Sequence, residues 1–516
     1  MSGFLAGAGV LAAAAASGAA ILLPPGRLRS AAMLVALLLF PVLILGDQWH
    51  THQIVDLRHS NGRIVALLAA AAVIVAALAY LFRRWPILLP LAIVAALPFR
   101  IPLHAGGDTA NLLVPLYLVI GGGVLAVLVR DWTAPPPGGR GGDAANGASL
   151  PRPQSSPSLA GPGGRAALWL PRLLAAFVVL YAVQTLYSED FSKGLQNVCF
   201  FLVPFTVAFA LLQGVKWDEK LLRLILIVVA TEAVAFVLVG SVEYLTRSLF
   251  WNDAVIRSNE FHTYFRVNSV FWDPNIYGRY LALVLVVVTT ALLWAKDRRN
   301  FWLLAATILV LWIGLAQTFS QSSLIALLAG LAVLAAIRWS GRWTLAAVAV
   351  GVVGAVLVVT LVGGKSLDLS SIVKRLNVDT SGRANLVSGG AELFEERPLW
   401  GYGSGSFQKA YANHRENKKV PVSVSHTEPV TVAAEQGLIG LALYIALIVV
   451  ALWAMTAGLR GRRAGRAAVL AAFVALLVHT MAYAGFFEDP ITWVLLAVGA
   501  ALASTPFAPS AVRDPA

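Results

Sequence analysis

The residues with the chemistry to do work fall in four short polar stretches of an otherwise apolar chain. In the first, Phe265-Arg266-Val267-Asn268-Ser269-Val270-Phe271-Trp272-Asp273-Pro274-Asn275 runs on into Tyr277, Gly278 and Arg279. Arginine suits phosphate because its planar fork makes bidentate, charge-assisted bonds and stays protonated when partly desolvated. Taken alone, either arginine could equally anchor the chain to lipid headgroups. The second stretch, Gln317-Thr318-Phe319-Ser320-Gln321-Ser322-Ser323, breaks two apolar runs with hydroxyls and amides that need a cavity or partner helices. In the third, Asp379-Thr380-Ser381-Gly382-Arg383 supplies capping residues ahead of Leu386, Val387, Leu393 and Phe394, which recur at helical spacing. That pattern predicts an amphipathic helix on the membrane surface, stopped at Arg397-Pro398. There follows Leu399-Trp400-Gly401-Tyr402-Gly403-Ser404-Gly405-Ser406-Phe407, in which Gly403 and Gly405 could turn backbone N–H groups toward an anion or simply build a tight turn. The run neither follows a strand nor opens a nucleotide-binding helix, so a dinucleotide site is not expected. The fourth stretch, Ser425-His426-Thr427-Glu428-Pro429, precedes Glu435-Gln436-Gly437-Leu438-Ile439-Gly440. An imidazole with a pKa of about 6.5 can take a proton at neutral pH and return it, which suits His426 to general-base work.

The elements that must position these residues are set by composition. Of 516 residues, 58% are hydrophobic and 13% charged, with 39 Lys and Arg against 26 Asp and Glu, a net of +13. Soluble domains carry roughly 25% charged residues, so this is an all-α polytopic membrane helix bundle. The single cysteine, Cys199, excludes a disulfide framework and a cysteine-based metal site. No metal, cofactor or nucleic-acid partner is expected, the basic excess reflecting topology first. About 20 apolar residues span a bilayer as a helix, and runs of that kind give about 14–15 spans. They lie near 4–23, 31–46, 64–82, 87–103, 112–129, 168–187, 195–213, 221–240, 276–295, 301–316, 323–339, 343–363, 429–456, 467–487 and 491–507. The first reads as an anchor with its N-terminus outside, and the two shortest, 31–46 and 301–316, as re-entrant or tilted.

Basic residues mark every second loop: Arg27/Arg29, Arg83/Arg84, Lys216/Lys220/Arg223, Lys296/Arg298/Arg299, Arg338/Arg342 and Arg460/Arg462/Arg463/Arg466. Those loops are therefore expected on the cytoplasmic side, and the long loops 241–275 and 364–428 outside. The Pro/Gly/Ser-rich segment 131–166 has no apolar period and is expected to be a disordered cytoplasmic linker. It separates an N-terminal unit of about five spans, 1–130, from a core at 167–507 with a tail at 508–516. All four polar stretches reach the same, outer face in this topology. An Arg266/Arg383 pair with a nearby histidine would suit a lipid-linked pyrophosphate donor and a hydroxyl acceptor that must lose a proton. A solute transporter is the rival class, but its ionisable residues should sit near the bilayer midplane, whereas here they fall mostly in loops and at span ends.

The order of these motifs resembles the O-antigen ligase and Wzy-type polymerase superfamily of bacterial integral membrane proteins. Arg266…Phe271-x-x-Pro274-Asn275 is similar to its first outer motif, and Thr318-x-Ser320-x-Ser322 to its Ser-rich helix break. The most specific part is Ser381-Gly382-Arg383…Pro398-Leu399-x-Gly401-x-Gly403-x-Gly405-x-Phe407…Ser425-His426 followed by Glu435-x-Gly437-x-x-Gly440. The chain departs from the pattern at Gln321, where relatives usually have Arg, and at Thr427, where they usually have Asn. The resemblance covers roughly 170–505. It implies a GT-C-like, metal-independent, inverting glycosyltransferase of the bacterial cytoplasmic membrane with its active site facing outside. A glycan would pass from a polyprenyl-pyrophosphate carrier to a hydroxyl of a glycan or glycolipid acceptor, as a ligase or as a polysaccharide polymerase. By the same resemblance, His426 would be the catalytic base and Arg266 and Arg383 would hold the donor pyrophosphate, with Asn275, Arg279, Ser320, Gln321, Gly403, Gly405 and Glu435 in support.

Overall fold

The structure is a computed structural model that describes residues 3–49, 61–105, 108–134, 162–261, 264–342, 344, 383–414, 425–457, 459 and 464–504. It is a bundle of apolar helices. Among the described residues 11 are long and apolar enough to cross a membrane, and Ala464–Thr480 and Pro490–Ser504 are shorter apolar helices. The chain opens with α1 (Gly3–Leu22), α2 (Arg27–Asp47), α3 (Asn61–Arg84) and α4 (Leu88–Ala96). An antiparallel ribbon, β1 (Ile101–Ala105) and β2 (Asp108–Leu112), pairs Ile101 with Leu112 and Ala105 with Asp108. Then come α5 (Val114–Thr133), α6 (Pro162–Thr185), α7 (Phe191–Asn197), a π-helical segment Val198–Leu202 and α8 (Val203–Gln213). The chain continues through α9 (Glu219–Thr246), α10 (Asp253–Phe261), α11 (Pro274–Leu293), α12 (Arg298–Thr318) and α13 (Gln321–Arg338). The last elements are α14 (Arg383–Glu396), α15 (Phe407–His414), α16 (Glu428–Ala457), α17 (Ala464–Thr480) and α18 (Pro490–Ser504).

Several boundaries differ from the sequence expectation. The runs at 31–46 and 301–316 are full-length helices, because Arg27–Asp47 and Arg298–Thr318 each extend to 21 residues through polar ends that a bilayer-length apolar count leaves out. The expected span at 87–103 keeps only nine helical residues in α4. Pro98 and Pro102 lack the N–H that a helix needs, and the chain beyond them is extended into the ribbon. Helix α6 starts at Pro162, inside the segment expected to be linker, while residues 135–161 lie outside the described residues, as does the span expected at 343–363.

Local sequence explains several of the helix starts. Asp218, Asp273, Asp297 and Ser320 each accept a hydrogen bond from a backbone N–H two or three residues on, and Pro274 follows its aspartate at the first helical position. Two buried clusters organise the bundle. One is built from α1, α2, α5, α6, α8, α16 and α18, so the N-terminal helices share a core with helices beyond the linker. The other is built from α9, α11, α12, α13 and α17. Helix α17 contributes to both, with Phe473 and Leu477 facing the first and Ala471, Ala475 and Leu476 facing the second. Its C-terminal end, which carries His479, is therefore held where the two cores meet.

Candidate active site

At one end of the bundle the chain enters and leaves α9, α11, α12, α13, α16, α17 and α18 through the polar stretches singled out above. Arg266 is fixed first through its backbone: its N–H donates to Asn259 Oδ1 at 3.0 Å, and its carbonyl accepts from Asn259 Nδ2 at 3.0 Å. The segment is braced from below by Glu243, a fully buried carboxylate that accepts from the N–H groups of Asn268 at 3.2 Å and Ser269 at 2.7 Å. Glu243 therefore offsets two buried donors of a tight loop in which Ser269 has φ 52. From that position Arg266 Nε donates to the Thr318 carbonyl and Nη2 to Asn275 Oδ1, both at 3.0 Å.

The break between α12 and α13 supplies the next link. Phe319 takes a left-handed conformation, φ 49, that ends α12, and Ser320 caps α13. Ser320 Oγ donates to Asn275 Oδ1 at 3.0 Å and lies 2.8 Å from Ser323 Oγ. Ser322 and Ser323 place their hydroxyls 3.3 and 3.2 Å from His479 Nε2. Close approach at this point depends on Gly278, where a Cβ would meet Ser323 Oγ at 2.6 Å. The ring of Tyr483 then lies between two imidazoles, 5.9 Å from His479 and 6.0 Å from His426 by ring centroid. Arg266, Asn275 and Ser320 are thus joined by direct hydrogen bonds, and His426 connects to them through Tyr483 and His479.

His426 itself has φ 61, an uncommon conformation for a side-chain-bearing residue that is held only where the surroundings over-determine it. Here they do. Ser425 Oγ bonds the Thr431 hydroxyl in the first turn of α16 at 2.7 Å, and Thr427 Oγ1 donates to the Met481 carbonyl at 3.0 Å. Glu428 adds a second clamp, accepting from the N–H groups of Gly485 at 2.7 Å and Phe486 at 3.1 Å. The histidine is pinned on one side to the first turn of α16 and on the other to the turn that follows α17.

Arg279 lies one turn into α11 and pairs with Asp489 at 2.8 Å, both side chains being only 4% exposed. Its Nε and Nη1 are buried without a hydrogen-bond partner. Asp489 also caps α18, accepting from Ile491 N at 2.9 Å. Arg100, at the end of the extended segment after α4, interacts electrostatically with Asp489, Arg279 and Tyr483. Asp489 is thus ion-paired to Arg279 in a field to which the Arg100 guanidinium also contributes.

The remaining expected residues are placed elsewhere. Gly403, Gly405 and Phe407 direct their N–H groups to Glu435, the first to its carbonyl at 2.8 Å and the others to its carboxylate at 2.8 and 3.0 Å. The glycine run is a tight turn locked onto α16, the alternative to an anion cradle. Its neighbour Gly437 has φ 64 and breaks α16, because a Cβ there would meet the Leu399 carbonyl at 2.4 Å. Gln321 is exposed and stands outside the hydrogen-bonded group. Arg383 opens α14, and its side chain lies outside the described residues. Where α14 meets the glycine turn, burial and the adjacent Glu396 push the Tyr402 hydroxyl up to about 12. The hydrogen bond from Tyr402, and then His414, hold Glu396 below the usual carboxylate range.

Sequence reasoning missed His479, Tyr483, Asp489, Arg100 and Glu243. For His479 and Glu243 a signal existed, since an ionisable residue inside an apolar run marks a function or a buried partner.

Residues 306–445 match the family model described as O-antigen ligase. Over that stretch the chain is similar to the O-antigen ligase family. The match begins inside α12 and ends inside α16, and so takes in the Ser-rich break, the glycine turn and His426. No curated protein matches the chain. Its apolar helices mark a multi-pass membrane protein, and the match makes residues 306–445 similar to O-antigen ligases.

Proposed function

We propose that the chain is an inverting glycosyltransferase that moves a glycan from a polyprenyl-pyrophosphate carrier to a hydroxyl of a glycan or glycolipid. The observation that carries the reading is the path of hydrogen bonds from the Arg266 guanidinium through Asn275, Ser320 and Ser323 to His479, from which ring contacts run through Tyr483 to His426. It offers an anion site at one end and a base at the other. In the step we envisage, His426 takes the proton of the acceptor hydroxyl as its oxygen bonds to the anomeric carbon. The bond from that carbon to the pyrophosphate oxygen breaks on the opposite side, and the electron pair leaves with the pyrophosphate. Charge develops on the leaving group, so positioned guanidinium groups lower the barrier most there. Arg266 and Arg383 take that role, and the two open N–H groups of Arg279, with Arg100 beside it, extend the cationic wall.

The orientation belongs to the same reading. Basic residues cluster at the opposite ends of these helices, at Lys216, Lys220, Lys296, Arg298, Arg299 and Arg338, which supports placing the site on the outer face of the bacterial cytoplasmic membrane. Ligase and polymerase share this donor half-reaction. A solute pathway would also explain a buried pair such as Arg279–Asp489, so the test compares the two activities. Chain reconstituted in vesicles is supplied with a polyprenyl-pyrophosphate glycan and acceptor, and in parallel with labelled solute. Transfer that persists in EDTA, without solute flux, is expected. Flux without transfer, or transfer lost in EDTA and restored by manganese, would contradict the reading.

A further inference from the structure

Where α16 begins, a cleft opens between α6, α7, the glycine turn and the turn that follows α17. Its wall includes Tyr181, Asn197, Glu428, Glu435 and Glu488, with Lys193 as the one cationic side chain among the lining residues. Glu428 opens α16 two residues after His426. The hydrogen-bonding character of this wall is lopsided. Asn197 is 6% exposed, its amide nitrogen is spent on the Tyr181 hydroxyl at 2.8 Å, and its Oδ1 is buried with no partner. The bonds to Glu428 from Gly485 and Phe486 both go to Oε2. Glu488 lies exposed at the rim. The buried atoms of this wall left without a partner are both acceptor oxygens, Asn197 Oδ1 and Gln436 Oε1. The other surface is aromatic, with Phe177 stacked on Phe487 at 3.9 Å and Phe407 opposite on the wall.

An occupant must therefore bring donors and an apolar face, and must not bring negative charge. A buried acceptor gains most from a hydroxyl donor, and carboxylates accept such bonds strongly. A phosphate or carboxylate in the same space would meet acceptor oxygens that offer it no hydrogen, with one lysine as the only cation on the wall. We propose that this cavity is the acceptor subsite and that it takes a sugar ring without phosphate or carboxylate, one hydroxyl of which is presented to His426. This rests on the glycan-transfer reading and adds the class of acceptor to it. The division of labour is electrostatic: the cationic wall at Arg266 and Arg279 receives the pyrophosphate, and the acidic wall receives the neutral sugar.

The test is ligand-observed saturation-transfer NMR on the full chain in lipid nanodiscs, with methyl glucoside and glucose 6-phosphate as probes. Methyl glucoside is expected to bind, with glucose 6-phosphate at least about tenfold weaker. Asn197→Leu should weaken methyl glucoside by about tenfold through loss of the buried acceptor. Glu488→Lys, at the exposed rim where folding is not at stake, should shrink or reverse the preference. Equal binding of the two probes, no binding of either, or binding indifferent to both variants would overturn the proposal. Failure of the transfer reading shows separately, as intact polyprenyl-linked donor in the presence of a chain that still selects methyl glucoside.

Discussion

His426 sits in a left-handed conformation between two hydroxyl-bearing neighbours, each tied to a different element, and that explains how one histidine of eight acquires a fixed position. Its place, and those of Arg266, Asn275 and Ser320, were legible from residue type and motif order. The partners were not. His479 and Tyr483 lie in and just after an apolar helix, and Asp489 lies between two apolar runs, so only the folded chain shows that the first two bridge to His426 and the third meets Arg279. That pair yields a prediction at this scale. Removing one partner of a buried ion pair leaves an uncompensated charge, at about 3–5 kcal/mol, whereas removing both can be nearly neutral. Asp489→Asn should therefore lower the unfolding temperature in detergent sharply, and the double variant Arg279→Gln/Asp489→Asn should regain most of it. If Arg279 faces the donor, the double variant stays inactive despite its recovered stability. Recovered activity would make the pair purely structural.

Elements carry the site through breaks more than through regular helix. The Ser-rich break after Thr318, the kink of α16 at Gly437 and the turn at Gly401–Phe407 each place polar backbone against a second element, which gives the N–H groups of Gly403, Gly405 and Leu438 acceptors there. The break and the amphipathic α14 were readable from polar interruption and periodicity. The ribbon at 101–112 and the short α4 were not, because an apolar run that contains Pro98 and Pro102 counts as a span by hydropathy while its backbone cannot stay helical. The glycine turn was ambiguous in sequence, since close approach to a ligand and close approach to another backbone call for the same residue. Gly403 has φ 94, and a Cβ there would meet the Ser188 Cα at 2.3 Å. Gly403→Ala should cost on the order of 1–3 kcal/mol of local stability and raise hydrogen exchange across residues 399–407. Unchanged exchange in that variant would show that the turn is not the lock described.

For the whole molecule, the two buried clusters and the helix they share place the candidate site at one end of the bundle, with Lys216, Lys296 and Arg338 at the other. Composition made the membrane class and the helical architecture legible, and the alternation of basic loops gave a single orientation for all four polar stretches. Composition could not show that the N-terminal helices share a core with helices beyond the linker, since packing among apolar helices depends on side-chain shape. The proposed division into a cationic and an acidic wall was likewise hidden, because its members come from segments far apart in the chain. The central claim is that glycan transfer occurs at His426. It is tested most directly by single-turnover transfer from a polyprenyl-pyrophosphate glycan, comparing the native chain with His426→Ala in the same vesicles. The account predicts a loss of about 10²–10⁴-fold in rate at unchanged unfolding temperature. Transfer at the native rate by that variant would contradict it.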